Sequence, residues 1–175
     1  WLEENFSNVS KRIINNLEKI FHEFENASKY LGADSEHAFA NSRSRLRMMM
    51  LYQVATSNNG LVVGTGNKVE DFGVGFYTKY GDGGVDISPI ADCTKSDVWE
   101  LAKEIGVIRE IIDAEPTDGL WDDSRNDENQ LGLSYKQLEE AMINKNSEFY
   151  KKYEEIRQPN LHKMKPIPVC AIPKE

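Results

Sequence analysis

Apolar residues recur at helical spacing in several stretches of the chain, separated by glycine, asparagine and proline. Ile13, Ile14, Leu17, Ile20, Phe21 and Phe24 fit a helix from residue 13 onward, although a strand over 10–15 also fits. Gly32 stops that pattern. Asp34 or Ser35, with Glu36 in the first turn, then caps a longer helix predicted to run to about Ser57, with Leu46, Met49, Met50 and Val54 as its apolar face. Met48 to Met50 read as core filling. After the turn at Asn58-Asn59-Gly60, the run Leu61-Val62-Val63-Gly64 reads as a buried inner strand, and Val85 to Ile90 as a second short apolar unit. Thr94 caps a predicted helix whose core face is Val98, Ala102 and Ile105, widened by Trp99 or Leu101. A short helical segment over 107–112 follows. Ser134 caps a helix carrying Leu138, Ala141 and Met142, and Phe149, Tyr153 and Ile156 belong to another. Four of the six prolines fall in the last 17 residues, so 158–175 is predicted to be an extended tail. Strands alternating with helices predict a three-layer α/β fold with a mainly parallel sheet, and no repeat or linker divides residues 1–175 into more than one domain.

Candidate chemistry concentrates just past the 61–64 strand, where open α/β sheets place their ligands. Thr65 to Asp86 holds six glycines, two lysines and four carboxylates in 22 residues. Such a stretch either cradles a polyanion with its metal or is a long surface loop. Upstream, Arg43, Arg45 and Arg47 sit on one predicted helix with Asn41, and the i,i+4 pair Arg43/Arg47 costs roughly 0.2–0.5 kcal/mol unless an anion or neighbouring acids relieve it. Glu115-Pro116-Thr117-Asp118-Gly119 is a loop beside this region. Asp122, Asp123, Asp127 and Glu128 lack calcium-loop spacing and read better as a solvated acidic surface than as a cation site. His162-Lys163 are either ligand contacts or exposed tail residues.

Charge and composition narrow the partners. A net charge of -8 excludes a general nucleic-acid or membrane-surface binder, so an anionic ligand must be met locally. Two cysteines without metal-type spacing suit a reducing compartment. No apolar run approaches the ~20 residues of a membrane span and no signal pattern opens the chain, so a cytoplasmic protein is expected.

In order along the chain, Asn41-Ser-Arg-Ser-Arg45-Leu-Arg47-Met48, Gly64-Thr-Gly-Asn-Lys-Val-Glu70, Thr78-Lys-Tyr-Gly-Asp-Gly-Gly-Val-Asp86, Lys95, Pro116-Thr117-Asp118-Gly119-Leu120 and His162-Lys163 closely resemble the ammonia-dependent NAD synthetases. The match runs from about residue 35 to the C-terminus. The resemblance implies the adenine nucleotide alpha hydrolase-like form of the three-layer αβα fold, incomplete at its N-terminus. It implies amidation of nicotinic acid adenine dinucleotide by ammonia, with ATP as co-substrate, Mg2+ as cofactor, and a homodimer as the working unit. Thr65, Lys95 and Thr117 resemble the family's ATP contacts and Glu70 its magnesium carboxylate. Asn41, Arg45, Lys79, Asp82, Asp86, His162 and Lys163 match its dinucleotide contacts.

Two departures stand out. The stretch from Glu70 to Thr78 is one residue longer than in many members, and Gln130 stands where some carry glutamate. The family's Ser-Gly-Gly-x-Asp-Ser loop is absent, and the chain begins at Trp1. A truncated synthetase is therefore expected, with a catalytically dead dinucleotide-binding or dimerisation module as the alternative. Without that nest for pyrophosphate, residues 1–175 alone should produce no NAD in an ammonia-dependent assay; robust turnover without an added N-terminal fragment would refute this.

Overall fold

The computed structural model describes residues 1–121, 123 and 125–173. Among these, eight α-helices are formed: α1 (Leu2–Asn5), α2 (Glu18–Tyr30), α3 (Glu36–Ser57), α4 (Lys95–Glu104), α5 (Arg109–Ile112), α6 (Asp127–Leu131), α7 (Tyr135–Ile143) and α8 (Tyr150–Met164). A π-helix occupies Val69–Val74. The starts of α4 and α7 are locally encoded. Thr94 and Asp97, and likewise Ser134 and Gln137, exchange side-chain and backbone hydrogen bonds in capping boxes.

The core lies where the π-helix, α7 and α8 meet. Tyr135, Leu138 and Ala141 share one face of α7 and bury against Val69, Val74 and Tyr153. The first part of the Glu70–Thr78 stretch lies in the π-helix, whose turn is wider by one residue than an α-turn. Gly75 closes that helix at φ 66°, and a Cβ there would sit 2.7 Å from Asn160 Cβ on α8. Only glycine allows both the left-handed turn and that approach. From α8, Tyr153 Oη donates to the Gly73 carbonyl at 3.1 Å, and the Arg157 guanidinium donates to the carbonyls of Phe72 and Gly73. Lys163 Nζ donates to the carbonyls of Gly75 and Tyr77 at 2.9 and 2.7 Å. Cations thus meet carbonyls left free at a helix C-terminus.

This anchoring overturns the extended tail expected over 158–175. Helix α8 continues through Pro159 to Met164, and only 165–173 is without regular structure. Arg157 and Lys163, bound on either side of Pro159, outweigh the proline's local penalty. Residues 10–17 form neither the helix nor the strand considered for them, and α2 starts only at Glu18, whose N–H donates to Asn16 Oδ1 at 2.8 Å. In α3 the buried residues are Phe39, Ala40 and Ser44, while Met49 is 57% exposed. Ile105 is exposed because it lies past the last turn of α4.

The predicted strand at 61–64 pairs in parallel with the second apolar unit through one bridge, Val63 to Ile87. Gly64 N donates to Ile87 O at 2.7 Å and Asp86 N to Val62 O at 2.9 Å. The ladder ends there because the Asp86 carboxylate takes the Val62 N–H at 2.8 Å. This isolated bridge is not a strand, and no strand forms among the described residues; nor is 61–64 the buried inner strand expected, since Val62 is buried but Leu61 and Val63 are exposed.

Leu138 is fully buried at the centre of the core. Leu138→Ala should lower the unfolding free energy by about 2–5 kcal/mol in urea titrations; a loss under ~1 kcal/mol would show that this cluster does not carry the fold.

Candidate functional site

Two adjoining clefts lie beside the π-helix and share Phe76, Asp82, Asp118 and Leu120 in their walls. The first, of about 490 Å³, is lined by Thr65, Glu70, Asp71, Lys95, Thr117 and Asp127 among others. Asn67 fixes Glu70 locally, its Oδ1 accepting the N–H groups of Val69 and Glu70 at 3.0 and 3.1 Å. Lys95, in the first turn of α4, brings Nζ to 3.1 Å from Glu70 Oε1, both side chains being less than one-fifth exposed. Tyr135 Oη lies 2.6 Å from that same oxygen and 3.0 Å from Asp127 Oδ2. Thr65 and Thr117 are exposed on the cleft surface.

The second cleft, of about 390 Å³, gathers Asn41, Arg45, Lys79, Asp82, His162 and Lys163, six of the seven residues expected to meet the dinucleotide. Its floor is a turn latched onto α3. Asp82 Oδ1 accepts from Ser44 Oγ at 2.7 Å and from Thr78 N at 2.9 Å, while Ser44 Oγ accepts from Asp82 N at 2.9 Å. Thr78 Oγ1 donates to Asn41 Oδ1 at 2.8 Å. Arg45 Nε reaches Lys79 O at 3.2 Å, and Lys79 Nζ reaches His162 O at 3.0 Å. Asp82 and Asp118 line both clefts. Asp86 lines neither, its carboxylate holding Val62 N and, at 3.2 Å, Tyr52 Oη.

A profile of the NAD synthase family matches residues 2–171. The chain belongs to the NAD synthase family. Among curated relatives, the NH3-dependent NAD(+) synthetase of Alkaliphilus oremlandii is 44% identical over 127 residues, or 73% of this chain and 50% of that protein. That of Syntrophomonas wolfei is 39% identical over 174 residues, or 96% of this chain and 69% of that protein. The chain thus spans between half and about two thirds of these relatives. An NMN synthetase from Francisella tularensis superposes with a TM-score of 0.81 at 28% identity, over 89% of this chain and 65% of that one. An NH3-dependent NAD synthetase from Campylobacter jejuni shares the fold, with a TM-score of 0.66 at 23% identity over 89% and 64% of the two chains.

In this NAD synthase family member, three features escaped the sequence reading. Asp127, read as solvated acid, is buried in the first cleft, and Glu128 Oε1 accepts the Tyr135 N–H at 2.9 Å. Their neighbour Asp123 pairs with Arg125, whereas Asp122 lies outside the described residues. Tyr135 carries no motif, and burial together with the nearby Glu70 charge raises its hydroxyl pKa. Its only advance signal is an aromatic with a polar tip one residue past a helix cap. The arginine triplet is divided. Arg43 and Arg47 donate to the carbonyls of Leu120 and Gly119 at 2.9 and 2.8 Å, and so pin the 116–120 loop against α3, while Arg45 faces the second cleft. Gln130 Nε2 donates to Asp118 Oδ2 at 3.1 Å.

Burial, with Glu70 and then Asp82 nearby, pushes the Asp71 carboxyl from 3.8 up to about 6. The folded protein therefore binds this proton more tightly than the unfolded chain does, and stability falls as pH rises between those two values. Without divalent cations, Asp71→Asn should gain about 1 kcal/mol at pH 7–8, after allowance for solvent screening, and nothing near pH 3.5. A pH-independent change in urea midpoint would contradict this origin.

Proposed function

We propose that the protein amidates nicotinic acid adenine dinucleotide with ammonia to give NAD, through an adenylated intermediate and with release of AMP and pyrophosphate. The observation that carries this reading is the pair of adjoining clefts, one collecting the residues matched to ATP and the other those matched to the dinucleotide, with Asp82 and Asp118 in both walls. Adenylation joins a carboxylate oxygen of one substrate to the α-phosphorus of the other and breaks the bond to pyrophosphate, so the two must meet at such a boundary. Ammonia then adds to the acyl carbon, AMP leaves, and the nitrogen gives up a proton.

Thr65, Lys95 and Thr117 hold ATP in this reading, Lys95 countering charge on the departing pyrophosphate. Asn41, Arg45 and Lys79 bind and orient the dinucleotide, Asp82 keeps the turn beneath it in place, and His162 and Lys163 close its far side. Asp86 acts from behind, holding the strand end that leads to Thr65. The first cleft fits Mg2+: Glu70 offers a hard anionic oxygen and Asp127 Oδ1 is buried without a partner among the described residues. When bound, magnesium would neutralise phosphate charge; Glu70 would hold it.

A homodimer accords with the 57% and 56% exposure of Met49 and Leu51 on α3, and a three-layer parallel sheet with the Val63–Ile87 pairing. A cytoplasmic place of work belongs to the same reading; separately, no described helix is long and apolar enough to cross a membrane. The likeness to an NMN synthetase favours one second reading, with a mononucleotide as the acid that is amidated.

The test compares Glu70→Gln with Arg45→Ala, in a preparation that turns over before substitution, by ATP-dependent pyrophosphate release and by calorimetry with each acid substrate. Glu70→Gln should slow adenylation roughly 10²–10³-fold with little change in dinucleotide affinity, while Arg45→Ala should raise the dissociation constant of the acid. Equal losses of rate and binding in both variants would indicate a folding role, and preference for the mononucleotide would establish the second reading.

A further inference from the structure

We infer that Asp127 is a second carboxylate ligand for the divalent cation that travels with the nucleotide, and that Tyr135 is the positioning residue holding it beside Glu70. This inference rests on the functional reading above. Asp127 is 6% exposed, lines the same cleft as Glu70, Lys95 and Thr117, and has an Oδ1 that is buried without a hydrogen-bond partner among the described residues. Its backbone N–H donates to Pro116 O at 2.9 Å, which ties it to the loop bearing Thr117.

The bonding of the other oxygen is also incomplete. Tyr135 has a single hydroxyl hydrogen, and the 2.6 Å separation to Glu70 Oε1 marks where it is chiefly directed. Asp127 Oδ2, at 3.0 Å, shares that hydroxyl. Lys95, the nearby cation, is engaged at 3.1 Å with Glu70. Asp127 is therefore an acid held in place with little to satisfy it, which leaves room for a hard cation.

No group of three or more His, Cys, Asp or Glu among the described residues could hold a metal unaided. Two carboxylates with phosphate oxygens and water instead suit magnesium, which seldom occupies an all-protein cage. The cation should accordingly bind weakly alone and well only with the nucleotide.

The experiment is Mn2+ binding to the 175-residue chain, with and without ATP, followed by electron paramagnetic resonance. Asp127→Asn, which keeps shape and removes charge, should weaken Mn2+ binding in the presence of ATP by roughly 10–100-fold without weakening metal-free ATP binding. Glu70→Gln is the reference and should lose a similar amount. Should Glu70→Gln weaken binding and Asp127→Asn match the unsubstituted chain, Asp127 is merely a buried protonated acid and the inference is overturned, with the functional reading intact. Absence of ATP-dependent Mn2+ binding in the unsubstituted chain would overturn both. In case the asparagine variant does not fold, Asp127→Cys is tested for a switch from Mn2+ toward thiophilic Cd2+ of about tenfold or more; a folded cysteine variant with unaltered preference would also overturn the inference.

Discussion

The arrangement of both clefts depends on how the carbonyl groups at the end of the π-helix are satisfied. A short wide helix has poor hydrogen-bond geometry of its own and exposes several carbonyls at its C-terminus. Tyr153, Arg157 and Lys163 meet them from α8. Because Glu70 lies near one end of this helix and Thr78 to Asp82 follow the other, a single docking contact places both sets of residues. Lys163 undergoes a cost in this position, since burial lowers its pKa, and two carbonyl acceptors offset that cost.

Long cationic side chains holding loop backbone recur on the opposite wall. Arg43 and Arg47 would repel one another on an isolated helix, but each finds a carbonyl of the 116–120 loop. Arg43 also lies 4.8 Å from the ring centroid of Phe21 and 3.8 Å from Glu25, which links α2 to the same assembly. The loop bearing Thr117 is thus fixed from α3 by the two arginines and from α6 by Asp127 N.

Legibility in the sequence followed the range of the interactions. The helix starts at Thr94 and Ser134 were readable because a capping box is complete within four residues. Most residues of the two clefts were reachable only through resemblance, since nothing in their spacing reveals that Lys95 and Glu70 touch. Tyr135 was missed altogether: its partner Glu70 is 65 positions away, and its own neighbourhood looks like an ordinary helix start. Pro159 and the face of α3 misled for a related reason. In α8, tertiary anchors overrode a local breaker; α3 has apolar residues on several sides, so periodicity could not select the buried one.

The π-helix also bears on which changes of length this segment can absorb. A π-turn takes one residue more than an α-turn, and this one is held at both ends, with Val69 and Val74 fully buried and Tyr153 and Arg157 on the Gly73 carbonyl. A residue gained or lost inside Val69–Val74 is therefore taken up by the width of the turn, whereas one gained between Gly75 and Asp82 would shift the loop that Ser44 and Lys163 hold.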